Sequence, residues 1–420
     1  MISLDQVERA RSWWARRALV GPSLVPTQDV RVDIGADGRI AGIVTGVPQP
    51  TGAAEPALAG GGVVAVDGVL APGLVDAHVH LALDGGADVV AGLVGRGIPA
   101  LTLRALANAV AQLRAGVTTV RDLGAPDDLI VALTGAGEWH VVASPRIVAA
   151  GTVTATAGHG AFFGRVADGS DAVRTAVREI AGTGATWIKV FASGGVVTPR
   201  SSPHGQQWFD DELGEAVATA RCLGLRVAAH SHSRGGILAA LRAGVDSVEH
   251  CSAVDAEVVD ALRAAEIDVP VDGGPARRVS KAVSTYVATE RFASSGHLEA
   301  SRPDIVEKIL AHAPQEQASL RRLVDADVPL VAGTDSGTTH NPHGSGLAEQ
   351  AQLLVEAGAS SRWALQAMTV RAGDLLGEPV GVIEPARWAD LVTFDGDPTE
   401  DVMALARPLA VGLGGRCVTR

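Results

Sequence analysis

The sequence predicts an α/β fold, a (β/α)8 TIM barrel accompanied by a small β-sandwich domain assembled from both chain ends. Two observations carry this prediction. The middle of the chain alternates short apolar strands with Ala-, Leu- and Arg-rich helical stretches, about eight times over roughly three hundred residues, which is the repeat of such a barrel. The two ends are β-rich where the middle is not, so they are expected to pair with each other around an inserted barrel. At 420 residues the chain can bury one large core and a smaller one.

Taken in order, residues 30–40 read as a hairpin around Asp37-Gly38, and residues 62–69 as a third strand with its own Asp67-Gly68 turn. The barrel strands are predicted at 74–78, 118–122, 146–150, 187–191, 226–230, 246–250, 268–271 and 329–333, with helices such as 210–223 and 237–243 between them. Residues 389–395 and 409–417 read as closing strands. The expected division is a sandwich domain over 1–72 and 378–420 and a barrel over 73–377. The gap between the seventh and eighth strands is long, which predicts an insertion at about 273–316, with 277–314 as an extra helical segment or lid. A doubly wound sheet is the alternative fold, but no Gly-x-Gly-x-x-Gly turn follows the first strand.

Composition narrows the function. Apolar residues make up 47% of the chain, yet no run reaches the roughly 18 needed to span a membrane. Asp5, Glu8 and several arginines occupy the first twenty positions, where a signal peptide needs an apolar core, so a cytoplasmic protein is expected. Cys222, Cys251 and Cys417 are odd in number and unpaired in spacing, supporting neither a disulfide framework nor a thiolate zinc site. A net charge of −12 argues against nucleic-acid or anionic-membrane partners. A small-molecule or peptide substrate fits better, and a homo-oligomer stays open.

The chemistry gathers where the predicted strands end. Side chains alternate along a strand, so His78 and His80 in Gly73-Leu74-Val75-Asp76-Ala77-His78-Val79-His80 point to one side and aim two neutral nitrogens at one place. The fourth strand supplies Lys189, the fifth His230, the sixth His250, and Asp335 follows the eighth in Gly333-Thr334-Asp335-Ser336-Gly337. Each alone has a structural explanation; all at barrel strand ends point to one active site, since barrel enzymes build their chemistry there from several strands. His159, between Gly158 and Gly160, and His232, on the side of its strand that His230 takes, are candidate substrate contacts. His204 and His343 sit in loops expected at the same mouth. Arg121 and Asp122 are expected to form a buried structural pair.

Together these segments resemble the amidohydrolase superfamily of metal-dependent hydrolases over nearly the whole length: Pro72 to His80, Ile188-Lys189-Val190, Ala229-His230-Ser231-His232, Val248-Glu249-His250, residues 333–337 and Ala389-Asp390-Leu391-Val392. Residues 152–160, Ser193-Gly194-Gly195-Val196 and Asn341-Pro342-His343-Gly344 are similar to its imidazolonepropionase-related prolidase and dipeptidase branch. The resemblance implies two divalent ions. His78, His80 and Asp335 would hold one and His230 and His250 the other, bridged by Lys189 as N6-carboxylysine, because an ammonium would repel the cations. Zn2+ suits the ligands, and Mn2+ or Co2+ fits similar geometry. Asp335 would carry the proton from a metal-activated hydroxide to the leaving amine. Around Asp272, after the expected seventh strand, and Tyr286, the single tyrosine, the chain departs from the branch; both are candidate substrate contacts, and simple dipeptide specificity is in doubt. The expected activity is hydrolysis of an amide or peptide bond in a dipeptide, N-acyl amino acid or modified peptide. The alternatives are a mononuclear cyclic-amide hydrolase or deaminase with unmodified Lys189, and a non-catalytic scaffold relative.

Overall fold

Eight parallel strands form the barrel: Leu74–Val79, Val117–Asp122, Arg146–Thr154, Trp187–Phe191, Arg226–Ser231, Ser247–His250, Ala282–Ser284 and Val331–Ala332, each paired with the next. They belong to a computed structural model that describes residues 10–50, 62–134, 143–271, 274–279, 281–296 and 298–419. The strands are apolar runs rather than alternating ones because both faces of each are covered, by the barrel interior and by the helices outside. The helices show the matching stripe: in Ser170–Ala181, Val173, Ala176, Val177 and Ile180 are buried at three- and four-residue spacing. Closure comes from the backbone N–H of Asp335, which donates to the His78 carbonyl at 2.7 Å, and from a parallel bridge between Val79 and Ser336. Gly333 permits this approach, since a Cβ there would lie 2.6 Å from that of His78.

The seventh strand corrects the sequence reading. Ile267–Val271, which contains the expected strand, pairs antiparallel with Gly274–Val279 in a hairpin outside the barrel sheet. Its place in the barrel is taken by Ala282–Ser284, which pairs with Val248 and Glu249 on one side and Val331 and Ala332 on the other. Three residues of modest hydrophobicity do not stand out beside a β-branched run, although all three are buried. The expected helical segment therefore begins later, as the helices Tyr286–Ser294 and Pro303–Asp325. Asp272 lies outside the described residues.

Both chain ends meet in an eight-stranded mixed sheet. Its centre is a strand that the sequence reading missed, Ser12–Val20, paired antiparallel with Val25–Ile34 and parallel with Val63–Ala65 and Val69–Pro72. Arg16-Arg17 interrupts its apolar run, while Trp13, Trp14, Ala18 and Leu19 are buried. Leu391–Phe394 pairs antiparallel with Val69–Pro72 and joins the two ends. The sheet docks on the barrel through Arg146, whose Nε donates to Asp390 at 2.7 Å and whose guanidinium lies 3.7 Å from the Trp388 ring centroid. Among the described residues no helix is long and apolar enough to cross a membrane.

Candidate metal centre

At the C-terminal ends of the strands the barrel brings His78, His80, Lys189, His230, His250 and Asp335 into one cleft, joined by His159 and His232. Ligand-capable atoms of His78, His80 and Asp335 all lie within 4.8 Å of one another, and so do those of His230, His232 and His250. The two groups touch, with the His78 and His250 ring centroids 5.0 Å apart. His159 packs at 4.7 Å from the His230 ring and rests on Gly195, where a Cβ would be 2.3 Å from its Nε2. Tyr286 is not brought in: its hydroxyl donates to Glu290 at 3.1 Å and it does not line the cleft.

Hydrogen bonds set the tautomers. A carbonyl oxygen can only accept, so His80 donates from Nδ1 to Gly124 O at 3.1 Å, and His230 donates from Nε2 to Gly194 O at 3.1 Å. In its neutral form each ring keeps one unprotonated nitrogen, Nε2 on His80 and Nδ1 on His230; against burial, the Asp335 carboxylate raises the His80 pKa, so a proton or a metal cation can occupy the space between His80 Nε2 and Asp335. The Glu249 carboxylate, 2.8 Å from His78 Nδ1, fixes that ring in the same sense. Burial holds the pKa of His78, His230 and His250 well below the usual imidazole range, with neighbouring positive charge adding to it, so these rings are neutral and can act as ligands.

Behind these residues lies a polar layer, part of which the sequence reading paired differently. Arg121 does not pair with Asp122. Its Nη2 donates to Glu249 Oε1 at 2.9 Å and its Nη1 to Ser247 Oγ at 3.0 Å, while Asp122 accepts from the backbone amides of Leu81 and Gly124. Thus Glu249 ties Arg121 to His78 across three strands. On the other side of the cleft, His232 Nδ1 lies 2.9 Å from Ser252 Oγ, and Ser252 in turn bonds to Glu316. Thr289 Oγ1 donates to Glu316 Oε2 at 2.6 Å. His343 is turned to the carbonyl of His80 (3.2 Å), and His204 packs near His312, 5.9 Å between rings; neither lines the cleft. The sequence signal for Glu249 was its place directly before His250; Glu316, in an amphipathic helix, gave none.

The donor set fits divalent cations. Asp335 Oδ1 sits 3.4 Å from His78 Nε2 and 3.3 Å from His80 Nε2, and it has no hydrogen-bond partner. In the tautomers described, an anionic oxygen faces two lone pairs, an arrangement that a cation between them resolves. Lys189 Nζ is likewise buried without a partner, and burial lowers its pKa to about 8. His250 and Asp335 hold positive φ angles of 72° and 54°, a conformation costly for side chains with a Cβ and typical of functional strand ends.

These features agree with comparisons to known proteins. Ochratoxinase from Aspergillus niger is 29% identical over 381 residues, covering 82% of this chain and 73% of that protein. A crystal structure of a Xaa-Pro dipeptidase with methionine in its active site superposes with a TM-score of 0.84 at 26% identity, covering 97% of this chain and 98% of the other. A prolidase complexed with N-methylphosphonate-L-proline gives a TM-score of 0.82 at 26% identity, covering 97% of this chain and 100% of the other. The sequence model of the Amidohydrolase family matches residues 69–418, so the chain belongs to the amidohydrolase family and is a hydrolase.

Proposed function

We propose that this protein is a binuclear metal-dependent hydrolase that cleaves an amide or peptide bond. The observation that carries the reading is the unpartnered Asp335 Oδ1 facing His78 and His80 at 3.3–3.4 Å, beside the neutral His230 and His250. His78, His80 and Asp335 would hold one cation and His230 and His250 the second, with zinc suited to the nitrogen and oxygen donors. When bound, such ions lower the pKa of a shared water and polarise a carbonyl.

Lys189 is read as the bridge, in carboxylated form. Its Nζ is buried, unpartnered and depressed toward neutrality, so a free amine is accessible to attack carbon dioxide, losing a proton as the carbamate forms. Asp335 accepts the proton released by the attacking water and returns it to the leaving nitrogen. His159, anchored through Nδ1 to Thr198 Oγ1 at 2.8 Å, and His232, anchored through Nδ1 to Ser252, keep their other ring nitrogens for the substrate carbonyl. The similarity to ochratoxinase and to Xaa-Pro dipeptidase supports an amide or peptide bond as the target.

A second reading is favoured by one observation: His230, His232 and His250 form a three-imidazole set that needs no lysine. It gives a mononuclear cyclic-amide hydrolase or deaminase in which Lys189 stays an amine. Incubating zinc- or manganese-loaded protein with dipeptides, N-acyl amino acids and cyclic amides, with products read by mass spectrometry, separates the two. Release of a primary or secondary amine from a linear amide supports the first, and release of ammonia or opening of a ring supports the second.

A further inference from the structure

The wall of the cleft facing away from the metal centre is apolar. Val196, Phe292, Ile305 and Ile309 form one buried cluster there, contributed by the loop after the fourth strand and by the two helices that follow the seventh. Phe162 and Phe163, packed edge to face at 4.6 Å, close the side nearest His80. The space among these groups and the ligand cluster is about 800 Å3, part of it open at the mouth.

Charge is sparse in this wall among the described residues. Among the described residues that line the cleft, the only lysine is Lys189, there is no arginine, and the only carboxylate is Asp335; all the rest of the polar lining is histidine and threonine. Two basic side chains border the wall, both already held by hydrogen bonds. Lys308 Nζ donates to the carbonyls of Thr198 at 2.9 Å and Val196 at 3.4 Å. Arg291 is bound by both oxygens of Glu349 at 2.6 Å and by Asn341, Pro342 and Ser345. A free carboxylate or ammonium carried by the substrate beyond its scissile bond would lose hydration there, which is costly, and among the described residues the lysine bordering the wall, Lys308, is already held by two carbonyls; an aromatic or branched apolar group gains by burial.

We infer that the substrate is an uncharged amide bearing a bulky apolar, preferably aromatic, group next to the scissile bond: an acylated arylalkylamine or a carboxyl-blocked peptide rather than a free dipeptide. The inference rests on the amide-hydrolase reading and narrows it. Ala288, on the helix Tyr286–Ser294, lines the cleft and is only partly buried, so a long side chain at that position can extend toward the wall.

The test compares N-benzoyl-L-phenylalaninamide with N-benzoyl-L-phenylalanine on the zinc-loaded full chain, with dissociation constants measured by calorimetry and hydrolysis followed by chromatography. The expected result is that the neutral amide binds roughly tenfold or more tightly than the acid. Phe292→Ala should weaken the amide, and Ala288→Arg should narrow or reverse the preference by supplying the missing cation. Because Phe292→Ala removes core contacts, Ala288→Arg at the partly exposed site is the deciding variant. Equal or tighter binding of the acid by the unaltered protein overturns the inference, and so does failure of both compounds to bind. Tight binding of the amide without cleavage supports the inference and overturns the amide-hydrolase reading, which keeps the two failures distinct.

Discussion

Glu249 Oε2 lies 2.8 Å from Nδ1 of His78, and both side chains are fully enclosed. The carboxylate keeps the proton on Nδ1 and so turns an unprotonated Nε2 toward Asp335. In Glu249→Gln the amide group can instead donate to Nδ1, which moves the ring proton to Nε2 and opposes a cation. Metal affinity should fall by about 10- to 100-fold with the fold retained, as measured by competition with a chromophoric chelator. Glu249→Ala should also lower stability by roughly 3–5 kcal/mol, because it strands the buried Arg121 guanidinium. Thermal melts of the two variants separate these effects.

The carboxylated form proposed for Lys189 has a direct spectroscopic test. Protein equilibrated with 13C-bicarbonate should show a carbamate carbon resonance that is absent from Lys189→Ala. The variant should also lose the second cation while keeping the first at His78, His80 and Asp335. An unmodified amine in the metal-loaded protein would favour the mononuclear reading.

Asp335 is the one carboxylate among the described residues that line the cleft, so it is the group read as the proton carrier. Asp335→Asn should lower kcat by about 10²- to 10⁴-fold. Its effect on KM should be smaller, because the apolar wall is untouched. Unchanged turnover would remove Asp335 from the reaction.

Glu316 is buried, and burial raises its pKa to about 7 against hydrogen bonds from Thr289 and Ser252 that lower it. A carboxyl whose pKa is higher in the folded state binds more protons folded than unfolded between its unfolded value near 4.5 and about 7. Its contribution is therefore most favourable below the unfolded pKa and is lost as pH rises through the folded one. Glu316→Gln, which cannot ionise, should gain stability relative to the unaltered protein across that window and hold the gain above it, up to about 3 kcal/mol. His312, 3.6 Å away and lowered to about 4 by burial, titrates in both proteins and largely cancels in the difference. Chemical unfolding at a series of pH values checks the sign.

The polar residues of the cleft were legible in the sequence because barrel strands present their last inward side chains to one face, so a polar residue at the end of an apolar run stands out, and so does a lysine inside one, as Lys189 in Trp187–Phe191. The seventh strand was not legible: a three-residue strand is specified by its neighbours at Val248 and Val331 rather than by its own pattern. Ser12–Val20 was hidden for a related reason, since its Arg16-Arg17 pair breaks the alternation while Trp13 before it sits in the sheet core. The Glu249–Arg121 and Glu316–Ser252 links join residues distant in sequence and reveal themselves only when the strands and helices are in place.

The most direct test of the metal centre is the divalent-metal content per chain of protein reconstituted with zinc and freed of excess by gel filtration, compared with its His78→Ala and His250→Ala variants. About two ions per chain are expected in the unaltered protein, and about one in each variant. Retention of no metal by the unaltered protein, or the same content in all three, would contradict the binuclear centre.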